Sequence, residues 1–162
     1  MSKTLVIWYS LEGNTEAAVS SLRKVMEFDD ARLVPEKEPP KSGAKKFLVG
    51  GGSVIRKEKP RLAPVGADAD AYERVILAFP VWAGCYPPAI RTYLAENALR
   101  NKAIAVIACS ASGNADKVFA RLSKELCGPE SGNRLTGTLS LRDPLKDPEE
   151  AEKKLAEFAA AF

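Results

Sequence analysis

The chain has 162 residues, 46% of them hydrophobic, with 24 Lys and Arg against 21 Asp and Glu, for a formal net charge of +3. That length suits one domain, residues 1–162, with a real core; the charges are spread rather than massed into the basic face of a nucleic-acid binder, and no apolar run approaches the roughly 20 residues of a membrane span, so a soluble protein is expected. There is no histidine, which removes the commonest transition-metal ligand and the usual general base near neutral pH, and with them zinc hydrolases and Ser-His or Cys-His nucleophile systems.

The first element is TLVIWY, residues 4–9, a continuous apolar run rich in β-branched and aromatic residues, as expected of a strand covered on both faces. After a small, hydroxyl-rich turn, Ala18, Leu22, Val25 and Met26 recur at helical spacing, which predicts a helix opening at Asn14 or Thr15 and running to about Met26. A short strand follows at residues 31–34, and residues 35–42, with three prolines, read as a loop. Residues 44–54 contain the apolar Phe47, Leu48 and Val49 but also Gly50, Gly51 and Gly52, and are expected to be irregular. The basic stretch IRKEKPR, residues 55–61, is broken by an acid and a proline and reads as a solvated loop rather than a phosphate track.

RVILAF, residues 74–79, is the next buried strand and runs directly into PVWAGCYPP. The paired prolines Pro87 and Pro88 suit the first turn of a helix whose apolar stripe is Ile90, Tyr93, Leu94 and Ala98. Residues 102–109 form a fourth strand leading into the loop SASGN, and Val118, Leu122 and Leu126 mark the helix after it. A fifth strand fits residues 134–141. Asp147 is placed to cap a last helix with Pro148 at its first position, Glu150 three residues on, and Leu155, Phe158 and Phe162 on its apolar face.

Strands alternating with helices imply an α/β fold with a parallel sheet and helices on both faces, because parallel neighbours need right-handed crossovers. In such sheets, ligands sit beyond the carboxyl ends of the strands where strand order reverses. The loops leaving strands one, three and four are the stretches richest in small, hydroxyl and glycine residues. In the first, Ser10 and Thr15 supply hydroxyls, Gly13 permits close backbone approach, and the helix start at Asn14 presents unpaired N–H groups, an arrangement suited to a phosphate monoester. The same features also describe an ordinary strand-to-helix turn with a capping Asn or Thr. Glu12 is the awkward member beside an anion and is expected to turn outward or to bond amides of a neighbouring loop.

The segment Ser10-Leu11-Glu12-Gly13-Asn14-Thr15 after a hydrophobic first strand resembles the phosphate loop of the flavodoxin family, whose usual form is Ser/Thr-x-Thr-Gly-x-Thr. The segment from Phe79 to Leu94 resembles a flavodoxin-like branch in which a Pro-x-Trp loop meets the flavin and a Pro-Pro helix start follows. The resemblance implies a flavodoxin-like, doubly wound five-stranded parallel sheet of order 2-1-3-4-5, the arrangement for which flavodoxin is itself the standard example, with FMN at the switch between strands one and three. It further implies that Ser10, Leu11, Glu12, Gly13, Asn14 and Thr15 hold the FMN phosphate. Pro80, Val81, Trp82, Ala83, Gly84 and Cys85 would then line the isoalloxazine, and Ser110, Ala111, Ser112, Gly113 and Asn114 the opposing wall.

Trp82 is the expected stacking partner, since an indole offers a large flat apolar surface, and Gly84 would let a peptide reorient at flavin N5. The sequence departs from the family pattern at Glu12 and in a third loop without an aromatic residue, which implies a more open flavin face. Its charge of +3 contrasts with the strong acidity of low-potential carriers in the family and implies a less negative potential or an acidic docking partner. An electron-transfer protein with redox protein partners is therefore expected, with no nucleic acid, no membrane span, and a monomeric or weakly dimeric state. The alternatives are an NAD(P)H-dependent quinone or flavin reductase and a cofactor-free binding module. Cys85, Cys109 and Cys127 form no Cys-x-x-Cys, and an odd number cannot all pair; with no leader-like start, a reducing cytoplasm is expected.

Overall fold

The computed structural model describes residues 3–40 and 51–162. Its strands are β1 (Thr4–Trp8), β2 (Asp29–Arg32), β3 (Arg74–Pro80), β4 (Ala103–Ser110) and β5 (Arg134–Arg142); its helices are α1 (Asn14–Leu22), α2 (Pro88–Glu96), α3 (Asp116–Leu126) and α4 (Pro148–Ala161). Residues 51–55 are also helical, and a short 3-10 turn spans Ala69–Ala71. The strands pair in the order β2-β1-β3-β4-β5, every pair parallel, which is the flavodoxin-like order.

The pleat explains the two-sided core. Along β1, Leu5 and Ile7 join Tyr9 in one cluster with Ile90 and Tyr93 of α2 and Val118 and Leu122 of α3. Val6 and Trp8 face the other way, into Ala18, Val19 and Leu22 of α1 and Ala151, Leu155 and Phe158 of α4. Successive side chains of a strand point to opposite faces, so a strand apolar at every position needs a helix layer on each side. The edges are more exposed: β2 buries only Ala31, and β5 is exposed or half-buried at every position but Leu141. In β5, Thr136 is an extra residue in the register with β4, where Ile104 pairs Leu135 and Ala105 pairs Gly137; its hydroxyl donates to the Ile104 carbonyl at 3.1 Å.

The amino edge of the sheet is closed by buried polar groups. Asn133 accepts from the Lys102 backbone N–H at 2.9 Å and donates from Nδ2 to the carbonyls of Leu99 and Leu126, both at 2.8 Å. Lys102, itself buried, donates from Nζ to the Tyr72 carbonyl at 2.6 Å.

Several sequence expectations shift. α1 ends at Leu22 and its last turn loosens, with Val25 N–H and Met26 N–H both donating to the Leu22 carbonyl. β2 begins and ends two residues earlier than expected, because Asp30 is held to the sheet by the Trp8 indole N–H at 2.7 Å while Leu33 closes the strand by donating to the Trp8 carbonyl at 2.7 Å. Ala98 lies beyond α2 and is exposed, and Leu99 takes the buried place.

Residues 51–54 are helical rather than irregular; the expectation for 44–50 lies outside the described residues. Helical glycine costs about 1 kcal/mol relative to Ala, and here the burial of Val54 in the α2-side core opposes it. The basic loop that follows is exposed, with Arg56 and Glu58 paired at 2.7 Å. Among the described residues, no helix is long and apolar enough to cross a membrane.

Candidate functional site

Because all strands are parallel, their carboxyl ends share one edge, and the loops leaving β1, β3, β4 and β5 meet there. They enclose a cavity of about 690 Å³ lined by Ser10, Leu11, Glu12, Asn14, Thr15, Gly51, Pro80, Val81, Trp82, Ala83, Cys109, Ser110, Ala111, Asp143 and Lys146. A space of that size, with apolar walls and a few polar groups, suits a ligand the size of a nucleotide cofactor.

The first loop is built around two devices. Ser10 is buried and its Oγ accepts from the Gly13 N–H at 3.2 Å, folding the loop back on itself. Gly13 has φ +101°, a backbone conformation only glycine takes without strain, and it delivers the chain directly into α1. No side chain caps that helix, so the N–H groups of its first turn face the cavity with no intrahelical acceptor. Thr15 Oγ1 is buried without a partner in good hydrogen-bond geometry, its polar neighbour being the Cys109 thiol. A buried hydroxyl held only weakly by a thiol is suited to donating to an acceptor oxygen.

Cys109 lies at the same corner. Burial pushes its thiol up to about 12, with the Thr15 hydroxyl opposing that rise and Asp143 adding to it. The thiol therefore stays neutral and adds no negative charge.

The second loop is a tight reverse turn. Trp82 and Cys85 exchange both backbone hydrogen bonds at 2.9 Å, with Ala83 at φ +48° and Gly84 at φ +71° between them. Positive φ at both central positions is the type I′ arrangement, and it places Ala83 and Gly84 exposed at the tip. Trp82 is half-buried and meets the Tyr9 ring edge-on at 5.6 Å and 83°. Cys85 points away from the cavity: it is buried, and its Sγ accepts from Arg121 Nη1 at 3.5 Å. Tyr86 packs beneath with it and donates to Glu125 at 2.6 Å, and burial and that hydrogen bond push its phenol up to about 12.

The third loop satisfies itself. Gly113 N–H donates to Ser110 Oγ at 3.0 Å, Asn114 N–H to Ser112 Oγ at 3.2 Å, and Asp116 N–H to Asn114 Oδ1 at 3.0 Å. Ser140 Oγ in β5 donates to the Gly113 carbonyl at 2.7 Å. Only Ser110 and Ala111 of this loop reach the cavity. Of the residues singled out from sequence, Gly13, Gly84, Cys85, Ser112, Gly113 and Asn114 do not line it, and the others do.

Sequence reasoning missed Gly51, Cys109, Asp143 and Lys146. The last two sit on the loop after β5, whose place at the carboxyl edge followed from the parallel sheet itself. Asn14 supplies the tie: its Oδ1 accepts from the Leu145 N–H at 3.0 Å. Among the described residues, no cluster of three or more His, Cys, Asp or Glu side chains is placed to hold a metal ion.

The sequence matches the flavodoxin family over residues 3–145. No curated protein is significantly similar to it. Among solved structures it is similar to a protein from Bacteroides eggerthii assigned as a flavoprotein, with a TM-score of 0.73 at 19% identity over 98% of this chain and 99% of that one. A flavoprotein from Lactobacillus acidophilus in complex with FMN gives a TM-score of 0.70 at 19% identity, covering 92% of this chain and 98% of that one. A Fusobacterium nucleatum flavodoxin bound to flavin mononucleotide gives 0.61 at 12% identity, covering 99% and 96%.

Proposed function

The chain belongs to the flavodoxin family, and from that premise we propose that it is an FMN-binding electron-transfer protein. The cofactor supplies reversible electron uptake; the chain supplies binding, orientation and electrostatic tuning. The observation that carries this reading is the mixed lining of one cavity, part polar and part flat and apolar. The polar part is the uncapped start of α1 and the buried Thr15 hydroxyl, a donor set matched to a phosphate. The apolar part is Trp82, braced by Tyr9 and set on the rigid Trp82–Cys85 turn, a flat surface matched to an isoalloxazine.

In this reading Ser10, Leu11, Glu12, Gly13, Asn14 and Thr15 form the phosphate loop, Gly13 by shaping the backbone rather than by touching the ligand. Pro80, Val81, Trp82 and Ala83 border the ring, and Gly84 gives the turn its freedom. Ser110 and Ala111 are the third loop's part of the lining. The FMN complex of the Lactobacillus acidophilus flavoprotein, similar in fold, supports the choice of flavin. The excess of basic over acidic residues would stabilise negative charge on a fully reduced flavin and favour acidic redox partners.

The test is a visible absorption spectrum of the purified protein before and after addition of FMN and gel filtration. Retained flavin absorbance is the expected result, and a colourless protein that gains no affinity for FMN would favour a cofactor-free binding module on the same sheet. Titration of the bound flavin against dyes of known potential is expected to show the second electron entering more readily than in acidic members of the family.

One observation favours a second reading. The third loop contributes only the small residues Ser110 and Ala111 to the cavity lining, and an open flavin face admits a nicotinamide or a quinone. Steady-state consumption of NADPH with a quinone acceptor would identify a reductase instead of a carrier.

A further inference from the structure

The loop after β5 belongs to no phosphate-holding motif in the sequence, yet it is fastened to the start of α1. Beyond the Asn14–Leu145 hydrogen bond, Leu145 Cδ1 lies 3.4 Å from where a Cβ on Gly13 would sit. This brings Lys146 and Asp143 to the same cavity as Ser10, Asn14 and Thr15. Among the described residues lining that cavity, Lys146 is the one cation, and the carboxylates are Glu12 and Asp143.

Lys146 Nζ meets Asp143 Oδ2 at 3.4 Å, with the lysine side chain 83% exposed. A long, hydrated surface pair of this kind contributes little, and little is lost when the lysine leaves it. The turn itself does not depend on the pair: Lys146 N–H and Asp147 N–H donate to the Asp143 carbonyl at 2.8 and 3.2 Å. A phosphate monoester carries nearly two negative charges at neutral pH and three acceptor oxygens, against one charge on the carboxylate, and the Lys146 stem is long enough to choose between them.

We propose that Lys146 is a phosphate-binding residue that exchanges Asp143 for the 5′-phosphate of FMN. This inference rests on the flavin reading. It makes the site recognise phosphate by charge as well as by backbone N–H groups and hydroxyls, and it assigns Asp143 the role of holding the lysine in the empty protein.

The experiment is fluorescence titration of the apoprotein with FMN and with riboflavin, which lacks the phosphate, at low and high salt. Lys146→Gln is expected to weaken FMN about fivefold, the upper range for one solvent-exposed charge pair, and to leave riboflavin unchanged. Lys146→Arg keeps the FMN preference. Asp143→Asn, whose asparagine tolerates the φ of +39° at this position, leaves the FMN loss in Lys146→Gln in place, since the phosphate and not the carboxylate is the lysine's partner in the complex.

Equal losses for FMN and riboflavin in Lys146→Gln, or no loss of FMN affinity, overturns the inference while leaving the flavin reading intact. Wild-type protein that binds neither flavin overturns both.

Discussion

Two loops of this molecule share the pattern Ser-x-x-Gly-Asn, residues 10–14 and 110–114, and both follow a central strand into a helix. Both also share the same fold-back, with the glycine N–H donating to the serine Oγ and the glycine at positive φ. They part at the asparagine. Asn114 spends its side chain locally, accepting from Asp116 N–H, and α3 starts two residues later with its loop donors satisfied. Asn14 is already the first residue of α1 and turns its side chain outward to Leu145, so its helix begins uncapped with a buried Thr15 hydroxyl beside it. Neither helix has a side-chain bond from its N-cap residue; the two copies of the motif differ in where the asparagine bonds and in the buried Thr15 hydroxyl that only the first has beside it.

Substitutions can break this contrast. The largest expected effect is Thr15→Val, an isosteric change that removes the hydroxyl proposed to meet the phosphate and, in the apoprotein, only its weak contact with the Cys109 thiol. FMN binding should weaken by about 1.5–3 kcal/mol, or roughly ten- to hundredfold in Kd, while the apoprotein should melt at the same temperature or higher. An unfolding curve and a flavin titration on one preparation check both signs.

Next come the two glycines. Gly13→Ala and Gly113→Ala should each destabilise by about 1–2 kcal/mol, since an L side chain is strained at positive φ. The new methyl would only touch Leu145 Cδ1 at 3.4 Å in the first case but crowd Arg142 Cβ at 3.3 Å in the second. Only Gly13→Ala should also lower FMN affinity, which a titration at matched folded fraction would reveal. Asn114→Ala, which removes a local helix-start hydrogen bond, should cost about 1 kcal/mol of stability with FMN affinity unchanged; a loss of flavin binding there would mean that the third loop is not the closed turn described.

Smallest at neutral pH is the effect of Cys109, which precedes Ser110 in β4 and whose thiol meets Thr15 beside the first loop. Its folded-state pKa of about 12 stands above the ordinary 9.0, so the unfolded chain gains by ionising first. The thiol's contribution is fully present below pH 9 and is lost as pH rises from 9 through about 12. Denaturant melts across that range should fall less steeply for Cys109→Ala than for the native chain. Tyr9, Tyr86 and Tyr93, all raised chiefly by burial, contribute a slope of the same sign at higher pH.

How much of this was legible in sequence varies with what sets each feature. The central strands and α2, α3 and α4 were readable because their apolar spacing is the physical cause of their burial. The edge strand β2 was placed two residues late because its hydrophobicity lies in Ala31 and Leu33, whereas its pairing is fixed by Trp8 through Asp30. Helix at residues 51–55 was hidden by Gly51 and Gly52, whose poor propensity is offset by tertiary burial of Val54.

At the site, small residues and hydroxyls marked three loops. The type I′ turn that withdraws Cys85 from the cavity could not be read from Trp-Ala-Gly-Cys, because alanine at positive φ contradicts its own preference. Asp143 and Lys146 were overlooked because they resemble any charged surface turn until the sheet brings them beside Asn14.

The buried Asn133 side chain, which joins Lys102, Leu99 and Leu126 at the amino edge, separates the duties of the two ends of the sheet. Foundations are fastened at one end and chemistry is mounted at the other, so loops at the carboxyl end can be lengthened, swapped or recharged without unpicking the joints that align the strands. The same chassis is thereby suited to engineering: the upper loops can be rewritten for other ligands, provided that asparagine is left alone.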